Sequence, residues 1–342
     1  MPQFGSGIIP AAGGISNELS AIVRRGFMPR MYVQIWKSAP LIAALLGSAQ
    51  VASGGLSPIT VPVQGTPMVS GQWTDYSGSF AQPTTQPGIS DAEFNLKAFI
   101  STLPFLGFEG LVQVDYSIVP LIEARMNDTT NVTIDTFASA LFNNISNQQQ
   151  LVGLPAAIDD GTNAVTYGGI SRTTSQFWKS LFVSTSGAPQ RTNALTFIAQ
   201  CTKVTGEMPS MGIMGFGTWT ALAQDFVGLE RYNIGSPTAG ASGGTNTPGA
   251  DGKVQSLFRA LDVAGVPIYA DPYCPEGTLY LLNTNYLSLY LHEKAAFSFT
   301  GFESTLPNNQ LGYVGAVLSL LELVNVKPRA HARIAGYTPA FN

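Results

Sequence analysis

The chain has 342 residues, of which 45% are hydrophobic and only 11% are charged, whereas an ordinary soluble domain has about 25% charged residues. Its polar surface must therefore consist mainly of Ser, Thr, Asn, Gln and Gly, which do little to keep copies of a protein apart. This composition favours a protein whose surface is covered by neighbours, although secreted and outer-membrane β proteins have similar compositions. Two cysteines are too few for a disulfide framework, and we expect both, Cys201 and Cys274, to be reduced and buried.

The beginning of the chain argues against export. Residues 1–14 contain neither a charged region nor an apolar stretch of the kind that a signal peptide needs. The apolar run Leu41–Leu46 is too short to span a bilayer and lies too far along the chain to be a signal peptide. We therefore expect a cytoplasmic product.

Charge is distributed unevenly along the first hundred residues. Residues 1–51 have a net charge of +3, with Glu18 as the only acid against four basic residues, Arg24, Arg25, Arg30 and Lys37. Residues 38–96 contain no Lys or Arg, and their only charged side chains are Asp75, Asp91 and Glu93. A basic leading arm is thus followed by an acidic segment. The overall net charge of −4 is no evidence for or against nucleic acid.

The same region predicts an arm and an extended segment instead of a compact domain. Residues 15–47 suggest short helices, broken at Pro29 and Pro40. Residues 53–88 are rich in Gly, Pro, Ser, Thr and Gln, and strand-like runs occur at Ile59–Val63 and Phe94–Ile100. Such a segment either folds back onto the body or projects towards something else.

The strongest helix prediction covers Ser117–Ser146, about 45 Å of helix. Ser117 is a suitable N-cap, and Pro120 lies in the first turn. Apolar residues recur on one face, at Ile118, Ile122, Met126, Ile134, Phe137, Leu141 and Ile145. A long helix with a single apolar stripe needs a sheet to pack against.

The remainder predicts a mixed core followed mostly by strands. Helices are expected around Leu195–Thr202 and Trp219–Phe226, with a strand at Met211–Met214 between them and an exposed loop at Ser236–Gly252. Further strands are predicted at Leu257–Asp262, Val266–Ala270, Leu279–Asn283, Leu287–His292 and Ala316–Val326. The predicted fold class is α+β.

Motifs for chemistry are weak. His292 and His331 belong to no metal-binding pattern, and we interpret both as ordinary strand residues. Ser242 lies in a G-x-S-x-G match, but a glycine-rich loop surrounds it instead of the strand and helix of a nucleophile elbow. Residues 252–253 lack the rest of a phosphate-binding loop, and residues 159–161 are better explained as a turn than as a calcium loop. We expect no cofactor, no metal and no enzymatic activity.

An ordered set of motifs resembles the major capsid proteins of tailed bacteriophages, with the Hong Kong 97-like fold. One group is Asp262-Val-Ala-Gly-Val-Pro-Ile-Tyr-Ala-Asp271 followed by Pro275-Glu-Gly-Thr-Leu-Tyr-Leu-Leu-Asn283. Others are Leu154–Ile158, Asp160-Gly161, Tyr167–Arg172, Phe177-Trp178, Gly206–Pro209 and Gly217–Trp219. The resemblance runs from about residue 100 to the end of the chain, and more loosely before it.

The resemblance implies an N-terminal arm (1–52), an extended β-hairpin loop (53–100), a peripheral domain with a long spine helix (101–189 and 329–342) and an axial domain (190–328). The final strand, with Arg329 and Arg333, would return to the peripheral domain. The implied function is a shell subunit that assembles with itself as hexamers and pentamers around phage double-stranded DNA, within the virion, after assembly in the host cytoplasm. Scaffold, portal and cement proteins are further expected partners, and no membrane is involved.

The resemblance also places the candidate contacts. The basic residues Arg24, Arg25, Arg30 and Lys37 would lie at the inner face, near DNA, or pair with acids of a neighbouring subunit. Asp75, Asp91 and Glu93 would contact a neighbour from the loop. In some relatives a loop Lys forms an isopeptide bond with a neighbour, but here Lys97 lies only at the loop base, so we expect a non-covalent shell. The alternatives are a nanocompartment shell of the same fold and, more distantly, a hydrolase using Ser242.

Overall fold

The computed structural model describes residues 39–52, 58–66, 73, 88–106, 121–143, 149–227, 261–305 and 312–341. The helices are α1 (Pro40–Gly47), α2 (Leu121–Phe142), α3 (Leu154–Ala157), α4 (Arg191–Thr205) and α5 (Phe216–Val227). The strands before α4 are β1 (Gln50–Ala52), β2 (Ile59–Gln64), β3 (Ile89–Phe94), β4 (Lys97–Leu106), β5 (Thr166–Tyr167), β6 (Ile170–Ser171) and β7 (Leu181–Ser184). The later strands are β8 (Met211–Met214), β9 (Leu261–Val263), β10 (Val266–Ala270), β11 (Thr278–Leu282), β12 (Leu287–His292), β13 (Ser298–Ser304), β14 (Gly312–Asn325) and β15 (Ala332–Ala335).

The chain divides into two compact units. The smaller comprises residues 1–36, 100–134 and 299–318, and the larger comprises residues 37–99, 135–298 and 319–342. The boundaries of the four parts implied by the resemblance stay a prediction.

A six-stranded mixed sheet in the order β7-β15-β11-β8-β10-β9 forms the centre of the larger unit. Strand β8 runs parallel to β10 and antiparallel to β11, and all four of its residues are buried. The strand β15 pairs with β11 on one side and with β7 on the other. Continuous burial is what the apolar runs of β8 and β11 predict for strands covered on both faces.

Alternate residues of this sheet belong to two hydrophobic clusters. Met214, Leu279 and Ile268 pack with Ile198 of α4 and Leu222 of α5. The opposite face contributes to a larger cluster together with α1 and the C-terminal part of α2, through Ile213, Tyr280, Leu282, Leu41, Leu45, Leu141 and Phe142. Because successive side chains of a strand point to opposite faces of the sheet, one sheet contributes side chains to both clusters.

A second sheet has the order β1-β12-β14-β13, with β4 also paired to β14. Strand β12 runs antiparallel to β14, from Leu287 opposite Asn325 to Leu291 opposite Leu321. Strand β12 alternates strictly between buried and half-buried residues, the pattern of a strand with one face in a core. Two further pairs, β2 with β3 and β5 with β6, form separate antiparallel ribbons.

Most predicted elements are present, with shifted ends. The strand at 211–214, the helices within 191–205 and 216–227, and the strands predicted at 266–270, 279–283, 287–292 and 316–326 are confirmed, whereas most of the strand predicted at 257–262 lies outside the described residues. The long helix is confirmed over Leu121–Phe142, whereas its predicted cap, Ser117, lies outside the described residues. Pro40 lies in the first turn of α1, where its missing N–H needs no partner, and Ala39 before it is extended, which agrees with the predicted break.

Part of the predicted helix stripe is wrong. Met126 and Ile134 are 41% and 40% exposed, whereas Thr129 and Thr133 are buried. The hydroxyls of Thr129 and Thr133 donate to the carbonyls four residues earlier, each at 2.8 Å. A Thr whose hydroxyl is satisfied within its own helix can be buried, so hydrophobicity alone misassigned the face.

Candidate functional site

The hairpin formed by β2 and β3 is the described part of the predicted extended loop. Its two strands pair in an unbroken antiparallel register from Ile59 opposite Phe94 to Gln64 opposite Ile89. On β3, Ala92 and Phe94 are buried, while Asp91 and Glu93 alternate with them and are exposed. The acidic side chains therefore point away from the packed face of the hairpin, where they are free to meet another molecule.

The base of this hairpin is fixed against the ribbon of β5 and β6. The Phe94 ring meets the Tyr167 ring edge-on at a centroid distance of 5.2 Å, and the Glu93 N–H donates to the Gly168 carbonyl at 3.0 Å. Gly168 has a φ of +57°, and a Cβ there would lie 2.8 Å from the Phe94 ring. Close backbone approach and a left-handed conformation both require glycine at this position.

A second glycine lets the other strand of the hairpin approach an aromatic ring closely. A Cβ on Gly65, directly after β2, would lie 2.3 Å from the Phe177 ring. Tyr167, Gly168 and Phe177 come from two of the motifs that carry the family resemblance. The structure therefore assigns these motif residues a role: they position the extended hairpin.

The other sequence-predicted contacts are mostly outside the described residues. These are Arg24, Arg25, Arg30, Lys37 and Asp75. Ser242 and its glycine-rich loop are likewise outside them. Lys97 is the first residue of β4, three residues after the end of β3, which agrees with its predicted position at the hairpin base.

A buried charged pair lies next to this ribbon. The sequence predicted only a turn for the segment that contains its acid. Arg172 and Asp159 are both fully buried, with Nη1 and Oδ2 4.0 Å apart. The Arg172 guanidinium donates to four carbonyls, those of Ala156, Ala157, Ala164 and Trp178, at 2.8–3.3 Å. It also lies 5.1 Å from the centre of the Tyr167 ring. One side chain thus joins three separate backbone segments beneath the hairpin base.

Asp159 closes the turn from the other side. Its carboxylate accepts hydrogen bonds from the amides of Gly161, Asn163 and Ala164, at 2.9–3.0 Å. Burial opposes the negative charge, but these amides outweigh it, and the pKa of Asp159 lies below its usual value. The prediction of a turn at residues 159–161 is confirmed.

Two motifs distant in sequence meet at the start of α5. The Glu276 carboxylate accepts from the amides of Gly217 and Thr218, at 3.0 and 2.9 Å, and from the Thr218 hydroxyl. The same hydroxyl accepts from the Gly277 amide at 2.7 Å. A carboxylate at a helix N-terminus satisfies free amides and complements the helix dipole. The Pro-x-Gly turn and the Gly-Thr-Trp segment therefore form one capping structure.

The helix α1 is attached to the core through Asp271. This side chain is fully buried and accepts from the amides of Leu41 and Tyr273, at 3.4 and 2.9 Å. Burial raises its pKa to about 6. The neighbouring Tyr273 hydroxyl donates to Asp135 of α2. A single loop after β10 thus contacts both α1 and the C-terminal part of α2 within the larger unit.

Glu322 of β14 is a second buried carboxyl. It is 1% exposed; its Oε1 accepts from the Val152 amide at 3.1 Å, and its Oε2 has no hydrogen-bond partner among the residues that the structure describes. Burial raises its pKa to about 7, against the opposing effects of the Val152 hydrogen bond and the Lys97 charge. No sequence pattern pointed to Glu322, which is a lone acid within an apolar stretch, and the family resemblance included Asp271 without giving it a role.

The remaining candidates for chemistry are structural. His292 ends β12, whereas His331 precedes β15 and is fully buried, so the prediction of a strand residue fails for His331. Burial lowers the pKa of His331 to about 3, and its Nδ1 accepts from the Asn283 amide. Cys201 and Cys274 are free and buried, as predicted. Within the described residues, no three His, Cys, Asp or Glu side chains come together as metal ligands would, and no helix there is long and apolar enough to cross a membrane.

Comparisons with known proteins rest on structure. Neither a family model nor a curated protein matches the chain. The capsid asymmetric unit of cyanophage A-1(L) superposes with a TM-score of 0.68 at 17% identity, covering 91% of this chain and 96% of that one. The capsid protein of Myoviridae phage XM1 superposes with a TM-score of 0.54 at 12% identity, covering 97% and 100%. The chain has the major capsid fold of tailed phages.

The capsid fold confirms the resemblance and the α+β class predicted from the sequence. An encapsulin complex from Synechococcus elongatus is similar as well, with a TM-score of 0.53 at 12% identity, covering 92% of this chain and 94% of that one. Similarity over nearly the whole length of each protein means that the described hairpin, helices and sheets belong to one known architecture.

Proposed function

We propose that this chain is a non-enzymatic structural subunit that assembles with copies of itself into a closed shell around double-stranded DNA. The observation that carries the proposal is the capsid fold over 91% of the chain, with 96% of the cyanophage capsid protein covered. The charge-poor composition supports it, because a surface with few charges is suited to extensive contact with copies. Its site of action would be the virion, after assembly in the host cytoplasm.

Within the shell, the four-part division of the sequence gives each segment a role. The arm (1–52), with Arg24, Arg25, Arg30 and Lys37, would lie on the inner side or beneath a neighbour. The loop (53–100), with Asp75, Asp91 and Glu93, would rest on an adjacent subunit, a role supported by the outward direction of Asp91 and Glu93. Hexamers and pentamers of the chain would form the shell, with scaffold, portal and cement proteins as further partners.

Assembly and contents test the proposal together. The purified chain, with and without a co-expressed scaffold, is expected to form particles far larger than the 36.2 kDa subunit, and particles from infected cells are expected to contain DNA. Mass photometry and nuclease-protected DNA are the measurements. A strictly monomeric chain would contradict the shell.

The alternative that a specific observation favours is a nanocompartment shell, because the encapsulin shares the fold. Shells that protect an enzyme and contain no DNA would support that alternative over the phage capsid.

The shell is expected to be held by non-covalent contacts. The segment 38–96 contains no Lys, so the loop tip offers no amine to attack a neighbouring side chain. Particles boiled in denaturant should run as a single band of monomer size on a gel. A ladder of oligomers that resists boiling and reducing agent would show that the loop does form covalent links.

A further inference from the structure

Two half-exposed phenylalanines form an edge-on pair on β13. Phe299 and Phe302 are each 40% exposed, and their ring centres are 5.1 Å apart at an interplanar angle of 72°. In a regular strand, residues three apart point to opposite faces. A local irregularity must therefore bring these two rings to one side.

The residues between the two rings provide that irregularity. Gly301 has a φ of +88°, a left-handed conformation that interrupts the alternation of the strand. At the same place the Thr300 hydroxyl bonds to both backbone groups of Ala316 on β14: it accepts from the amide at 3.1 Å and donates to the carbonyl at 3.2 Å. The side chain of Thr300 thus holds β13 against β14 at the irregularity.

A glycine of β14 allows the two rings to pack against the backbone of that strand. A Cβ on Gly315 of β14 would lie 2.6 Å from the Phe299 ring and 3.2 Å from the Phe302 ring. Both rings therefore lie directly on the backbone of β14, which fixes their positions before any partner arrives. Ordered aromatic side chains lose little entropy on binding, a property of strong interface anchors.

The segment that carries the two rings is rich in aromatic residues and almost free of charge. Tyr313, two residues before Gly315 on the same strand and hence on the same face, is 48% exposed. Glu303 is the only charged residue within 298–318. We call Phe299, Phe302 and Tyr313 the aromatic shelf. A nucleic acid would require basic side chains, which this segment lacks.

We propose that the aromatic shelf is an anchor through which one copy of this chain binds a second copy in the shell. The inference rests on the proposed function. The aromatic shelf is complementary to an uncharged surface. Other copies of this chain present such a surface, because only 11% of the residues are charged. The exposed part of the three rings amounts to roughly 250 Å², whereas a stable interface buries about 800 Å² on each partner. The shelf is therefore the apolar centre of a larger contact.

The test compares the full chain with Phe299→Ser/Phe302→Ser and with the apolar variant Phe299→Leu/Phe302→Leu. The serine variant is expected to raise the subunit concentration needed for shell formation by about tenfold or more, and the leucine variant by less. Val204→Ser, at a residue of α4 that is 51% exposed, serves as a matched control for loss of exposed apolar surface. Trp fluorescence melting of unassembled subunits shows whether each variant is folded.

The outcomes separate the two proposals. If wild-type chains form shells and the folded serine variant forms them at the same concentration, the shelf is not an anchor, although the shell function stands. If wild-type chains form no particles, the proposed function fails first. A photo-crosslinking residue introduced at Tyr313 identifies the occupant: bonds between two chains are expected in particles, whereas bonds only to residues 1–38 of the same chain would overturn the inference.

Discussion

Replacing Arg172 with methionine is expected to lower the free energy of unfolding of the subunit by about 3–5 kcal/mol. The guanidinium is fully buried and donates to four backbone carbonyls. Methionine keeps much of the volume but leaves those carbonyls, and the Asp159 carboxylate beside them, without the positive charge. Because the free energy of unfolding of a domain is only about 5–15 kcal/mol, this single change could remove a large part of it.

Urea unfolding of unassembled subunits, followed by Trp fluorescence, measures the effect, since Trp178 donates to the Tyr167 carbonyl within the same region. Arg172→Lys should also destabilise, because one ammonium cannot bond four separated carbonyls. Arg329→Met, at an exposed arginine, is the matched control and should change stability by less than about 0.5 kcal/mol. Equal stability of Arg172→Met and wild type would show that the buried pair contributes nothing net.

The hairpin base should respond to the same substitution. Arg172 contacts the Tyr167 ring, and Tyr167 in turn contacts Phe94 at the end of β3. Loosening that stack is expected to free the hairpin base more than the six-stranded sheet, one face of which packs in a separate cluster. A larger increase in amide hydrogen exchange at residues 89–94 than at residues 278–282 is the expected sign.

The elements that the sequence predicted well are those with a strong local pattern. Met211–Met214 is apolar throughout and is buried throughout, and Leu287–His292 alternates as a strand with one buried face must. Burial in these two strands follows the pattern of apolar residues within the strand itself, so it can be predicted without knowing any distant residue.

Strands β7 and β13 were missed, and β15 was expected only from the family resemblance, as the final strand with Arg333, because the pattern of these strands is set by partners far along the chain. In strand β15 the buried Ala332 and Ile334 alternate with the half-buried Arg333 and Ala335, and the segment becomes a strand by pairing with β11 and β7. The predicted run Phe94–Ile100 is two strands, β3 and β4, separated at Asn95 and Leu96. Local strand propensity does not reveal where one strand ends and the next begins when the first of them pairs in a separate hairpin.

The polar centres escaped prediction for a related reason. Glu276 caps a helix that begins 60 residues earlier, at Phe216, and Asp271 binds an amide 230 residues away. Each is a single acid without a local motif, so only the folded chain shows its partner. The family resemblance marked the segments that contain Glu276 and Arg172 without giving their roles.

Ionisation of Glu322 is expected to lower the stability of the subunit as pH rises from about 5 to 8. Its pKa in the fold is about 7, compared with 4.5 for an ordinary Glu. A group whose pKa is raised by folding contributes stability that is complete below the ordinary pKa and is lost as pH rises through the folded one. This difference corresponds to about 3 kcal/mol above pH 7. Asp271, whose pKa is raised to about 6, acts in the same direction.

Glu322→Gln isolates this contribution, because glutamine resembles the protonated carboxyl and keeps an oxygen to accept from the Val152 amide. At pH 8 the variant should be more stable than wild type by about 1–3 kcal/mol, since the wild-type carboxylate is buried and its Oε2 has no hydrogen-bond partner within the described part of the chain. Near pH 5 the two should differ little, because the wild-type carboxyl is then protonated. Glu293→Gln, at an exposed residue, should leave the pH profile unchanged. A variant less stable than wild type at pH 8 would mean that ionised Glu322 has found a compensating partner, with Lys97, whose charge opposes the rise in its pKa, the first to test by Lys97→Met.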